Sequence, residues 1–283
     1  MTRWPSHAPL GGLAPRRRAF VLVLVVLLLA VAALVAAGVA REYAVPAPAA
    51  PDDMGTVVLV PGYGGNQSSL ASLAIRLRVV GRPAVVVDLP DGGTGDLAAQ
   101  AAAIDDVVRD RLRRGETSVD LVGYSAGGVA AWQYLETGRT APAVRRFVTL
   151  GSPLQGAELA AAGGALVPGA CPQACQQLAP GSALLTGLDA DPRPSIPWLS
   201  IWTDQDETVT PPTSAALPGI RSISLQSVCP DVQTSHSQLP TADITVGLLL
   251  RALGTKALPD PTVDDCGQLS AEGIGRPVLV GTY

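Results

Sequence analysis

Val119-Asp120-Leu121-Val122-Gly123-Tyr124-Ser125-Ala126-Gly127-Gly128 is the stretch from which the rest of this chain can be read. Gly123 to Gly127 fit the pattern G-x-S-x-G. With 30 Gly among 283 residues a chance match is easy, so the flanks must carry the weight. An apolar, β-branched run enters the pattern, and a helix-compatible segment, Gly127–Gly138, leaves it. A strand, a sharp turn at a serine between small residues, and a helix form a nucleophile elbow, which lifts the hydroxyl above a sheet. The competing reading is a glycine-rich turn with a solvated serine.

Working outward, similar short runs recur at Thr56–Val60, Ala84–Asp88, Phe147–Leu150, Trp198–Thr203 and Ile220–Leu225. The first two of these, the elbow strand and Phe147–Leu150 are nearly continuously apolar, as strands covered on both faces are. Helical patterns alternate with them. Leu97, Ala101, Ile104, Val108 and Leu112 keep one apolar face, with Asp105, Asp106, Arg109, Asp110 and Arg113 on the other. Ser68–Val80 and the segment from Pro240 to Gly254 read as further helices. Repeated βα units imply a parallel sheet flanked by helices, with ligands at the C-terminal ends of the strands. Pro153 to Pro197 breaks the rhythm and is too long for an ordinary connection, so an insertion such as a lid is expected at residues 154–196.

A serine hydroxyl needs a base. The chain has two histidines, and His7 precedes a long apolar run, which leaves His236 as the base. A base needs an acid to fix its tautomer, and the loop after Trp198–Thr203 offers Asp204, Asp206 and Glu207. Spacing alone does not choose between Asp204 and Asp206. Developing negative charge on an oxyanion calls for backbone N–H donors. Ala126, next to the serine, is one; the other is expected in Pro61-Gly62-Tyr63-Gly64-Gly65-Asn66. That loop lacks the Gly-Lys-Ser/Thr of a phosphate loop, and no cofactor or metal is required.

Ala19 to Ala40 are uncharged and apolar and follow Arg16-Arg17-Arg18. Twenty-two residues of helix span about 33 Å, enough for a bilayer core. The basic flank places the remainder outside the cytoplasm. The length favours an uncleaved signal anchor, while Gly38-Val39-Ala40 offers a signal-peptidase site that would make the protein secreted. The expected order is a basic region at residues 1–18, the apolar helix at 19–40, a Pro/Ala-rich linker at 41–55, a catalytic domain at 56–253 and an extension at 254–283. Residues 41–283 carry a net charge of −8, which argues against nucleic acid as a partner. Four exported cysteines suggest two disulfides, with Cys171–Cys175 and Cys229–Cys266 the expected pairs and a four-thiolate zinc site the rival.

VLVPGYGGNQSSL, VDLVGYSAGG, VTLGSP, IWTDQDETVTP and SHSQLP together resemble an α/β-hydrolase of the secreted bacterial lipase type, from about Thr56 to Leu253. The resemblance implies an α/β-hydrolase fold. It favours Asp206, which opens a D-x-x-V-x-P segment, and it implies that the Tyr63 N–H completes the oxyanion hole. The implied activity is hydrolysis of a carboxylic ester or lipid by Ser125, His236 and Asp206. Acyl transfer to envelope lipids and an inert, membrane-tethered binding protein are the alternatives.

Overall fold

The computed structural model describes residues 14–42, 44–166 and 171–275. Contacts divide the chain into two units, Met1–Val45 and Pro46–Tyr283. In the first, α1 (Pro15–Glu42) runs through the whole apolar stretch and takes in the three arginines before it. It is long and apolar enough to cross a membrane and lies near the N-terminus. His7, most of the expected basic region (residues 1–13) and Tyr43 of the expected linker lie outside the described residues.

The second unit is built on six parallel strands in the order β2-β1-β3-β4-β5-β6. They are β1 (Thr56–Val60), β2 (Ala84–Val86), β3 (Val119–Tyr124), β4 (Val144–Leu150), β5 (Trp198–Trp202) and β6 (Arg221–Ser224). Alternation along each strand divides the core in two. Val57, Leu59, Val122 and Val148 pack against α2 (Ala71–Val79) on one face, together with the long helix that follows Ala242. Val58, Val60, Leu121 and Phe147 pack on the other against α3 (Leu97–Arg113) and α4 (Ala126–Thr137). The expected α/β architecture with a parallel, doubly covered sheet is therefore present, and four expected helices lie where periodicity put them.

Local departures have physical causes. Asp105 does not stay on the solvent face of α3: it is buried, and its Oδ1 accepts hydrogen bonds from Thr140 N–H (2.9 Å) and Oγ1 (2.6 Å). β4 starts at Val144, three residues before the apolar run, with Arg145 and Arg146 both buried. The carboxylate of Asp120 on β3 pairs with Arg145 at 2.6 Å and with Arg82, and Arg146 Nη2 donates to Thr255 O at 3.3 Å. The insertion is not structureless. It holds α5 (Glu158–Leu166), α6 (Gln173–Gln177) and α7 (Ala183–Ala190), while its residues 167–170 lie outside the described residues.

Both expected disulfides form, Cys171–Cys175 and Cys229–Cys266, with Cα–Cα separations of 5.4 and 5.2 Å. The second joins the end of α8 (Leu225–Val228) to the start of α10 (Cys266–Gly273). α10 lies across α9 (Asp243–Ala252) with close backbone approach: a Cβ on Gly247 would stand 1.9 Å from Leu269 O, and one on Gly273 1.9 Å from Asp243 O. The segment after Gly254 thus packs on the sheet's helical layer as far as Gly275; residues 276–283 of the expected extension lie outside the described residues.

Candidate active site

β3 ends at Tyr124 and α4 begins at Ala126, so Ser125 alone makes the turn between them. Its backbone sits at φ 53°, ψ −130°, a region that non-glycine residues rarely enter. Its N–H donates to Leu150 O at 2.9 Å. A Cβ on Gly127 would lie 2.2 Å from Pro61 O, so only glycine lets the loop after β1 close over the start of α4.

That turn points Ser125 at His236, which lies in irregular chain between α8 and α9. His236 Nε2 is 2.9 Å from Ser125 Oγ, and His236 Nδ1 is 2.6 Å from Asp206 Oδ2. All three residues are buried. The other oxygen of Asp206 accepts the N–H groups of Thr208 (3.0 Å) and Val209 (2.7 Å). A carboxylate so occupied can only accept from the ring. That puts the ring proton on Nδ1 and leaves the Nε2 lone pair facing the serine.

The three acids of the loop after β5 part company. Asp206 reaches the imidazole ring. Glu207 does not, but its Oε2 accepts the backbone N–H of His236 at 3.1 Å. Asp204 is exposed and accepts from Ser224 Oγ at 2.8 Å. The acid and histidine loops are laced together further, by Thr203 Oγ1 donating to Thr234 O (2.8 Å) and Thr234 N–H donating to Gln205 Oε1 (3.0 Å).

Two neighbours of this group do not announce themselves in the sequence. Tyr124 donates its hydroxyl to His236 O at 3.2 Å, with ring centroids 5.2 Å apart. Burial, and then the negative charges of Asp206 and Glu207, push its phenol up to about 12, so it keeps its proton. Gly151, just past β4, has φ +54° and no room for a side chain. A Cβ there would stand 3.3 Å from both Asp206 Oδ2 and His236 Nδ1. Its sequence signal is a glycine directly after an apolar strand, within the VTLGSP segment.

Ala126 occupies the first position of α4, where helical N–H groups have no intrahelical acceptor. Tyr63, Ser125 and Ala126 together line one side of a cavity of about 220 Å³. The insertion supplies much of the rest through Ala157, Leu159, Ala160, Cys175 and Leu178. Among the described residues no lining side chain is charged. Among the described residues no group of three His, Cys, Asp or Glu is placed to hold a metal ion, and all four cysteines are in disulfides.

Residues 78–244, more than half of the sequence, match a family described as "Alpha/beta hydrolase of unknown function (DUF915)". The chain belongs to that family. The matched span contains Ser125, Asp206 and His236, but not Tyr63. Solved structures of the same fold include lipase B of Aspergillus fumigatus, with TM-score 0.58 and 17% identity, covering 82% of this chain and 64% of that one. The mature form of lipase BlEst2 of Bacillus licheniformis gives TM-score 0.58 and 18% identity, covering 75% of this chain and 96% of that one. Phospholipase PlaB of Legionella pneumophila gives TM-score 0.50 and 16% identity, covering 78% and 63%. The chain spans less than two thirds of the Aspergillus and Legionella proteins, and at these identities the likeness is one of fold. No curated protein matches the sequence.

Proposed function

We propose that this α/β hydrolase is a serine enzyme that cleaves carboxylic esters through an acyl-enzyme. The observation that carries the reading is the unbroken contact from Asp206 through His236 to Ser125, at 2.6 and 2.9 Å, opening on an uncharged cavity. Ser125 Oγ attacks the ester carbonyl while Nε2 takes its proton. The imidazolium, held by Asp206, then protonates the leaving alkoxide, and the acyl group stays on Oγ. Water enters, gives a proton to Nε2 and its hydroxide equivalent to the carbonyl carbon; collapse returns the proton to Ser125 and frees the acid. The N–H groups of Tyr63 and Ala126 serve as donors to the oxyanion of both tetrahedral intermediates.

The catalytic domain in this reading is residues 56–253, and the insertion at 154–196 provides the wall against which an uncharged acyl group lies. The apolar helix and the two disulfides fit an exported protein, held on the membrane if α1 is retained and secreted if it is cleaved.

The test is Ser125→Ala in the full chain, assayed with a p-nitrophenyl ester and with a fluorophosphonate probe. Turnover should fall by at least about a thousandfold and labelling should vanish while the melting temperature holds. Turnover that survives in purified Ser125→Ala protein overturns the proposal. An absence of labelling in folded parent protein points instead to an inert binding module, and ester product formed only with an added alcohol points to an acyltransferase.

A further inference from the structure

We infer that Tyr124 and Glu207 are positioning residues that set the base by gripping the two polar groups of its own backbone. His236 belongs to no helix or strand, so nothing periodic fixes its peptide. Its N–H donates to Glu207 Oε2 at 3.1 Å, and its carbonyl accepts the Tyr124 hydroxyl at 3.2 Å. The carbonyl's remaining lone pair takes Leu239 N–H at 3.2 Å. Each gripping residue adjoins a different member of the relay: Tyr124 precedes Ser125, and Glu207 follows Asp206. The base is thereby tied through its backbone to the same two loops that its ring touches.

Any slip of the elbow or the acid loop carries the histidine peptide with it, and the distances to Oγ and Oδ2 are kept. Rates respond steeply to such distances, with about a hundredfold lost for a misplacement of about 1 Å. The phenol remains a donor across the working range because burial and the nearby carboxylates hold its proton. The inference rests on the ester-hydrolase reading for its kinetic consequences, but not for its geometry.

The test uses full-length protein carrying Tyr124→Phe, Glu207→Ala, Glu207→Gln and the Tyr124→Phe/Glu207→Ala pair. Three readouts apply: kcat and KM on p-nitrophenyl butyrate, melting temperature, and the downfield proton resonance of His236 Nδ1–H, assigned by its loss in His236→Ala. Losing one neutral or charge-assisted hydrogen bond at the base should lower kcat about fivefold to tenfold with KM within about twofold. Glu207→Gln keeps an acceptor oxygen and should return to within about twofold of the parent. The double variant should lose about fiftyfold, and its Nδ1 proton resonance should broaden.

A double variant with kcat within twofold of the parent and a sharp resonance overturns the inference. So does Glu207→Gln that is as slow as Glu207→Ala. If the parent has no esterase activity yet the resonance collapses in the double variant, the function falls and the positioning role stands. An active parent with an unmoved resonance has the opposite meaning.

Discussion

Two buried carboxylates sit at opposite ends of the sheet, and they are put to different uses. Asp206 is 5% exposed, at the C-terminal end of the strands, and its partner is an imidazole. Asp120 is fully buried, near the start of β3, and its partners are the guanidinium groups of Arg82 and Arg145. Five residues of strand, about 16 Å, separate Asp120 from Ser125. At the lower end the arginines are wrapped in carbonyls: Arg145 donates to Pro51 O, Leu253 O and Gly254 O, and Arg82 donates to Leu253 O. The cluster fastens the linker and the end of α9 to β3 and β4. At the upper end the partner is an imidazole whose other nitrogen meets Ser125, and Ser125 lines the cavity. A buried acid beside a fixed cation holds chain segments together; beside an imidazole next to a hydroxyl, it is arranged as the proposed reaction requires.

The largest effect that would break this contrast lies at the upper end. Asp206→Asn removes the acceptor that fixes the tautomer, so kcat on a p-nitrophenyl ester should fall by about 10³ to 10⁴. Because Asn keeps shape and can still accept from Thr208 and Val209, melting should move by only a few degrees. Asp204→Asn, at an exposed acid whose carboxylate accepts from Ser224 Oγ, should leave kcat within about twofold. Equal losses from the two substitutions would dissolve the assignment of Asp206.

The lower end should show the reverse pattern. Asp120→Ala leaves two guanidinium groups without their carboxylate in a buried site, a change that destabilises by about 3 to 5 kcal/mol. Denaturant midpoints should drop accordingly, and melting should fall by roughly ten degrees. The kcat of the molecules that remain folded should match the parent, since the site lies about five residues of strand away. A lower kcat per folded molecule, with unchanged stability, would show that the two ends are not separable.

The upper end was far more legible in the sequence than the lower. A strand-serine-helix pattern, one exported histidine and an acid after the next strand but one are local signals with a required order. They bring Ser125, Asp206 and His236 to the same place. Short apolar, β-branched runs likewise located all six strands, and compartment plus spacing paired the cysteines. The start of β4 was hidden because two consecutive arginines read as the end of a strand; their partners are distant in sequence, Asp120 for Arg145 and the carbonyl of Thr255 for Arg146. The three helices of the insertion were hidden by Ala-, Gly- and Pro-rich sequence that carries little periodicity. Spacing narrowed the loop acids and only the resemblance singled out Asp206; the backbone contact of Glu207 with the same histidine carried no signal of its own. Gly151 excludes a side chain for a tertiary reason, and no local pattern states which atoms would collide.

A third carboxylate, more exposed than either, sets the lower bound of the comparison. Asp96 caps α3 by accepting Ala98 N–H at 3.0 Å, and it accepts Gln177 Nε2 at 2.7 Å. Gln177 returns the contact, its Oε1 accepting Leu97 N–H at 2.9 Å, so α6 and the cavity wall are pinned to the start of α3. The Gln177 bond first, and the Ala98 N–H second, hold the Asp96 carboxyl below its ordinary value. A lowered folded-state value means the ionised form is the one the fold prefers. The contribution is therefore complete above the unfolded carboxylate range near pH 4 and fades as pH falls below it. Asp96→Ala should lose about 1 kcal/mol as a cap, or roughly 2 to 4 °C of melting temperature at pH 7. That gap between parent and variant should narrow as the solution is acidified through pH 4 toward 3, because the parent then loses what the variant never had. A gap that widens on acidification would mean that the protonated form is the one being held, and would place Asp96 outside the series that Asp206 and Asp120 begin.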